Sequence, residues 1–445
     1  MVIEFKLANY RSINAEQTLS FVAENARRHP DNLISRPGYK LLKATALFGA
    51  NASGKSNLVK GIKVMRDFVR DSATRMNEGD SITAAEPFRL DPAARDAPSH
   101  FEITFVTEGV SYTYGFAVTR RRVNEERLVA KRETTEAKIC EFRRTFSDAT
   151  GEYVWEFDGF KKSDADQIRD RTLDNMLALS VGPQQKVEVL RPAYRYLRGR
   201  IWTFDMSSVM DTLLGTRTVQ LCQESEEMRH TLSALLYGAD TGIEDIHIET
   251  SLPLSAGVPR VEVLEHLNDM PELQDFYKAA KNLVSSTPIP RITAQRRDSK
   301  GDIINFDFKD DESQGTQRFF AIAGPLLNAL NGGAFVVVDE LDASMHPLLT
   351  RRLLEMFQSA EANPNGAQLL FTTHDSSLLD EDLFRRDQIW LSEKCDNAST
   401  FFSLADIRPR VRNTESFLRN YLVGRYGGTP HLGLAFDDLS VGGKA

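Results

Sequence analysis

Gly49-Ala50-Asn51-Ala52-Ser53-Gly54-Lys55-Ser56 reads G-x-x-x-x-G-K-S. It follows an apolar run, Ala44 to Phe48, and precedes a helical pattern of Leu58, Ile62, Met65 and Val69. Strand, glycine-rich loop and helix in that order form the setting a phosphate-binding loop requires. The glycines let consecutive backbone N–H groups turn towards the β- and γ-phosphates with no Cβ in the way. Lys55 adds a point charge, Ser56 a hydroxyl for Mg²⁺, and the helix N-terminus a favourable dipole. A nucleoside triphosphate site is therefore expected at Gly49, Asn51, Ser53, Gly54, Lys55, Ser56 and the following Asn57, with ATP and Mg²⁺ as its ligands.

Working outward, Ala334-Phe335-Val336-Val337-Val338-Asp339-Glu340 reads as a buried strand ending in two carboxylates. A run this apolar suits a parallel strand covered on both faces. Asp339 is the expected second metal partner beside Ser56, and Glu340 is placed to polarise a water for in-line attack on the γ-phosphate. Gln368-Leu369-Leu370-Phe371-Thr372-Thr373-His374 is another buried strand with a histidine at its C-terminal end, the edge where open α/β sheets hold ligands. His374 is expected to hydrogen-bond the γ-phosphate. Glu312-Ser313-Gln314-Gly315-Thr316-Gln317-Arg318 opens a helix striped by Phe319, Ile322, Leu326 and Leu330. Ser313 and Gly315 offer a hydroxyl and free N–H groups to an anion, although a serine there is also an ordinary helix cap.

The order of these segments resembles the ABC-type ATPase heads of the SMC, RecF and OLD proteins. Asn51 fits the G-x-N-x-x-G-K-S form of the loop that those heads favour, and Asn9-Tyr10-Arg11-Ser12 resembles their opening strand. A narrower resemblance is to bacterial AAA-family ATPases of the RloA, AbiL and AriA (PARIS) type. It is carried by Phe88-Arg89-Leu90-Asp91, the E-S-x-G-T-Q-R stretch, D-E-L-D-A-S-M-H-P, R-R-D-Q-I-W and Tyr421-Leu422-Val423-Gly424-Arg425-Tyr426-Gly427. The resemblance implies an α/β ABC-type P-loop head with an antiparallel β layer on the adenine side and a mostly helical insertion. It also implies a homodimer or higher oligomer, in which Ser313, Gly315 and Asp342 act across the interface. Gln184 is the candidate for the glutamine that such heads carry between their lobes.

Composition suits a cytoplasmic protein: 445 residues, 41% hydrophobic and 27% charged, with no run of about 18 apolar residues and no signal-peptide pattern at the N-terminus. Cys140, Cys222 and Cys395 are far apart and lack metal-ligand spacing. A net charge of −8 argues against a surface coated for DNA. The clusters Arg120–Arg122, Arg143-Arg144, Arg191/Arg195/Arg198/Arg200 and Arg408/Arg410/Arg412 read first as solvated faces or ion-pair partners. Four pieces are expected: a lobe over 1–184 with the phosphate loop and the antiparallel layer, a helical insertion over 185–290, a second lobe over 291–400 and a tail over 401–445.

The stretch from Ser56 to Ser313 has no sustained heptad repeat, so no long coiled-coil arm is expected. No D-x-D follows Glu393, and the eight histidines form no H-N-H nuclease pattern. Three readings follow. The first is an ATPase regulator or scaffold of an anti-phage defence system, controlling a separate effector such as a Toprim or HNH nuclease and responding to a phage-encoded trigger. The second is a RecF-like ATPase acting on DNA, and the third is a stand-alone nucleotide switch.

Overall fold

The structure, a computed structural model, describes residues 1–25, 28–205, 208–239, 241–250, 290–409, 411–412 and 415–429. They fall into two units, Met1–Met210 with Asn328–Ala445, and Asp211–Leu327. In chain order the strands are β1 (Val2–Ala8), β2 (Gln17–Ser20), β3 (Leu33–Arg36), β4 (Tyr39–Leu42), β5 (Ala44–Gly49), β6 (Ser99–Thr107), β7 (Val110–Val118), β8 (Val123–Arg132) and β9 (Lys138–Ser147). They continue with β10 (Glu152–Asp158), β11 (Ile201–Asp205), β12 (Asp245–Thr250), β13 (Pro290–Arg297), β14 (Ile303–Asp307), β15 (Phe335–Asp339), β16 (Gln368–Thr372), β17 (Ile389–Cys395) and β18 (Ala398–Ser403).

The first unit is built on a six-stranded sheet in the order β11-β15-β16-β5-β17-β18. All its pairings are parallel except β17 with β18. Every residue of β5 and β16 is buried, as are Phe335–Val338 of β15, because helices and the second sheet leave neither face to water. Parallel pairing brings Gly49, Asp339 and Thr372 to the same sheet edge, and β16 lies between the phosphate-loop strand and the acidic strand. Helix α1 (Lys55–Arg75) leaves that edge, burying Leu58, Ile62, Met65 and Val69, the stripe visible in the sequence.

The expected antiparallel layer is a seven-stranded sheet, β10-β9-β8-β7-β6-β1-β2. The β6–β7 hairpin turns at Glu108-Gly109, with φ of 52° and 73°. Two consecutive left-handed residues suit the right-handed twist of the strands they join. Its inner face carries Phe101, Phe105, Tyr114 and Phe116, and Phe105 stacks on Tyr196 with ring centroids 4.5 Å apart. Tyr196 lies on the helix Arg191–Gly199, which packs on α1.

Here the structure differs from the helical insertion expected over 185–290. The helix Arg191–Gly199 and β11 belong to the first unit, and β11 pairs with β15 in the core sheet. Ile-Trp-Thr-Phe-Asp is only five residues long, and its strand character depends on that pairing. The second unit holds the helices Ser208–Glu224 (from Asp211 onward) and Glu226–Gly238 and the antiparallel sheet β12-β13-β14. Residues 251–289 of the expected insertion, and 430–445 of the expected tail, lie outside the described residues.

One residue of the basic clusters, Arg144, is not on the surface. Arg144 is 0% exposed, donates to the carbonyls of Met176 and Leu173 at 2.8 and 2.9 Å, and faces the equally buried Glu126 at 3.8 Å. Glu126 accepts from Tyr114 Oη and from the N–H groups of Ala178 and Leu179. Burial pushes its carboxyl above the usual range, and Arg144 pulls it partly back. Removing one member of a buried pair strands the other. Arg144→Ala is therefore expected to cost about 3–5 kcal/mol in chemical denaturation. Alanine at the adjacent, exposed Arg143, which pairs with Glu125, is expected to cost less than about 1 kcal/mol.

Candidate functional site

The chain leaves β5 at Gly49 with φ 150° and enters α1 at Gly54 with φ 110°. A Cβ on Gly49 would collide with the Ser392 carbonyl, and one on Gly54 would lie 2.6 Å from Ser399 Cβ. Both glycines are therefore demanded by the packing of the loop on β17 and β18 as well as by backbone conformation. Ser392 Oγ also donates to the Ser53 carbonyl at 3.0 Å, and Ser53 is buried.

Lys55 is 5% exposed, and its Nζ donates to the carbonyls of Gly49 (2.7 Å) and Ala50 (3.1 Å). Burial lowers its pKa, opposed by the nearby carboxylates of Asp339, Glu340 and Asp342. Lys55 is thus held at the mouth of the loop in a field of three acidic groups.

Ser56 Oγ donates to Asp339 Oδ1 at 3.2 Å. The same oxygen accepts from Thr372 Oγ1 at 2.7 Å, and Thr372 Oγ1 accepts in turn from the Glu340 N–H at 2.7 Å. This single threonine aligns both carboxylate-bearing residues. Glu340 has a left-handed φ of 59°, which turns the chain sharply out of β15. His374 Nε2 lies 3.8 Å from Glu340 Oε1, and the two side chains are 42% and 53% exposed. Asp342 Oδ2 accepts from the His374 N–H at 3.3 Å. The structure thus brings Lys55, Ser56, Asp339, Glu340 and His374 to one sheet edge. A hydroxyl and a carboxylate are the hard oxygen donors that Mg²⁺ takes, with phosphate and water completing its shell. Among the described residues no group of three or more His, Cys, Asp or Glu could hold a metal.

Two predicted residues are placed differently. Asn57 Nδ2 donates to Ser12 Oγ at 2.7 Å, which also accepts from Ser399 Oγ at 2.8 Å. The Asn57 amide braces the loop instead of opening towards a ligand. Gln184 donates to the Ala73 carbonyl, near the far end of α1 and 18 residues from Lys55. That separation corresponds to about 27 Å along the helix, so Gln184 lies away from the phosphate loop, contrary to the expectation for it. Asn51 is exposed on the loop. In the second unit, Ser313 Oγ accepts from the Thr316 N–H at 3.1 Å and caps its own helix, while Ser313 itself stays exposed. Sequence reading missed Thr372, Ser12 and Ser399. Only the T-T-H and N-Y-R-S motifs hinted at the first two.

A glycine-bent loop at a helix start, facing a serine–aspartate pair and a glutamate–histidine pair across a parallel sheet, defines a P-loop nucleotide-binding ATPase head of the α/β class. The family described as "AAA domain, putative AbiEii toxin, Type IV TA system" matches residues 44–173 and 249–380, more than half of the chain, and the chain belongs to it. The phosphate loop falls in the first matched segment, and Asp339, Glu340 and His374 fall in the second. No curated protein matches. Among solved structures, the SMC head domain from Thermotoga maritima aligns at 14% identity and a TM-score of 0.40, over 90% of this chain and 98% of that one. Among the described residues, no helix is long and apolar enough to cross a membrane.

The Thr372 bridge makes a direct prediction. Thr372→Val keeps the shape of the side chain but removes both hydrogen bonds. ATP hydrolysis is expected to fall about tenfold or more, with nucleotide affinity changed far less. Steady-state turnover and equilibrium binding on the same preparation check it.

Proposed function

We propose that the chain is a Mg²⁺-dependent ATPase that closes as a homodimer around ATP and so controls a separate effector in a bacterial anti-phage defence system. The observation that carries the enzymatic part is Asp339, held at once by Ser56 of α1 and Thr372 of β16, with Glu340 and His374 beside it. Lys55 and the loop N–H groups hold the β- and γ-phosphates. Ser56 and Asp339 would hold Mg²⁺, which would supply charge neutralisation for the phosphate oxygens. Glu340 orients a water and accepts its proton as the new O–P bond forms. The bond from the γ-phosphorus to the bridging oxygen breaks, leaving ADP and phosphate. His374 donates to the γ-phosphate and registers its loss.

The dimer is supported by the phosphate loop and the S-x-G-T-Q helix start, Ser313 to Gln317, lying in separate parts of the chain, with Ser313 exposed. Asp342 follows the acidic pair and is assigned the same cross-interface role. Support for the defence role comes from the family, whose description names a toxin and a toxin–antitoxin system. A Toprim or HNH nuclease is the class of effector that would supply the missing chemistry, and a phage product the trigger. The basic side chains on the antiparallel sheet do not favour DNA. Arg127 pairs with Glu141, Arg143 with Glu125 and Lys138 with Asp158, at 2.8, 2.8 and 2.5 Å. Paired in this way, they leave little net charge for phosphates. A cytoplasmic location fits this reading.

Lys55→Ala is expected to abolish ATP binding. Glu340→Gln is expected to bind ATP normally and to turn over about 10²–10³-fold more slowly, the usual loss when one transition-state group is removed. Wild-type turnover in Glu340→Gln would remove the assignment. For the dimer, mixing Lys55→Ala with Ser313→Arg leaves each heterodimer one intact composite site. Recovered activity on mixing is the expected result, and none despite subunit exchange would contradict sharing. Stimulation by DNA with no co-purifying protein would favour the RecF-like reading.

A further inference from the structure

Beside the exposed Ser313 lies a residue that no step above uses. Glu312 is 8% exposed, and its carboxylate meets Arg296 of β13. Arg296 Nη2 donates to Oε2 at 2.9 Å and lies 2.9 Å from Oε1. Arg296 is itself fixed. It donates to the Thr241 carbonyl at 2.9 Å, and its guanidinium sits 5.2 Å from the centre of the Phe306 ring on β14. On the other side of the cap, Thr316 is buried, and Gln317 Nε2 donates back to the carbonyls of Glu312 (2.9 Å) and Lys309 (2.8 Å). Glu312 and Thr316 are thus anchored, while Ser313 and Gln314 between them face solvent.

The charge arrangement matters as much as the anchoring. A helix start attracts anions through its free N–H groups. A bare carboxylate one residue before Ser313 would take up that potential and repel a phosphate. A buried carboxylate is also unfavourable unless it is paired. Arg296 meets both needs through a single nitrogen, Nη2, set between the two carboxylate oxygens.

We propose that Arg296 is a positioning residue. It holds Glu312 buried and neutralised, so that the Ser313–Gly315 helix start stays aimed at, and electrically open to, the γ-phosphate of a nucleotide on a second copy of this chain. The inference rests on the reading that Ser313 acts on a neighbour's nucleotide. It makes the sheet β12-β13-β14 the mount of that helix start.

The test uses the full chain with Arg296→Ala, measuring three quantities: affinity for a fluorescent ATP analogue, turnover, and ATP-dependent dimerisation in a Glu340→Gln background. The protomer's own nucleotide affinity is expected to stay within about twofold, since its phosphate loop is untouched. Turnover is expected to fall roughly ten- to a hundredfold, and ATP-dependent dimerisation to weaken in parallel. A general folding defect would lower affinity as well. Should Arg296→Ala not fold, Arg296→Lys keeps the charge but cannot hold Glu312 and the Thr241 carbonyl with one planar guanidinium, and a loss of several-fold with unchanged affinity is expected. Wild-type turnover and dimerisation in the folded variant overturn the proposal. If Ser313→Arg is inactive while Arg296→Ala is not, only this inference fails. If Ser313→Arg is fully active too, the shared-site reading fails with it.

Discussion

The Asp339 carboxylate is the point on which the site depends. One of its oxygens receives the hydroxyls of Ser56 and Thr372, so the helix after the phosphate loop and the strand between β5 and β15 are both referenced to it. The three segments lie far apart in the chain and meet only because the sheet order is β15-β16-β5. Thr372 then fixes the Glu340 backbone. Near it Lys55 is buried, and its ammonium donates to the Gly49 and Ala50 carbonyls.

Around this centre the loop is braced from outside. Ser12, in the turn after β1, accepts from both Asn57 and Ser399, and Ser399 on β18 stands where a Cβ on Gly54 would go. The Ser399 N–H also donates to the Ser12 carbonyl at 2.7 Å. The edge of the core sheet and the first hairpin of the antiparallel sheet therefore close on the same residue of the phosphate loop. Tyr421 from the late Y-L-V-G-R-Y-G segment packs near Phe48, with ring centroids 6.4 Å apart. Tyr421 thus lies beside the end of the strand that leads into the loop.

What could be read from sequence follows from what is contiguous in it. The phosphate loop and the Val-Val-Val-Asp-Glu strand carry their chemistry within a few residues, so apolar runs and motif spacing were enough. The role of Thr372 depends on the parallel pairing of β16 with β15, which no local pattern contains. The place of Gln184 between the lobes suggests a role at the site, yet nothing in its neighbours specifies distance from the loop. The strand β11 carries little periodicity in its five residues, and its edge position is set by β15, so the sequence around it reads as helical. Arg144 looked like surface charge because burial of an arginine depends on partners supplied by Glu126 and by the Leu173 and Met176 carbonyls, all distant in sequence. The α/β class and the antiparallel layer were legible because they repeat the same local signals over many residues.

If Asp339 and Ser56 hold the metal of a metal–nucleotide complex, the metal must contribute to binding through Asp339. Calorimetric titration of ATP into the native chain and into Asp339→Asn, each with and without Mg²⁺, measures this directly. The expected result is a Mg²⁺-dependent gain in affinity of at least about tenfold in the native chain that is largely lost in Asp339→Asn. An equal Mg²⁺ effect in both proteins, or none in either, would contradict the account.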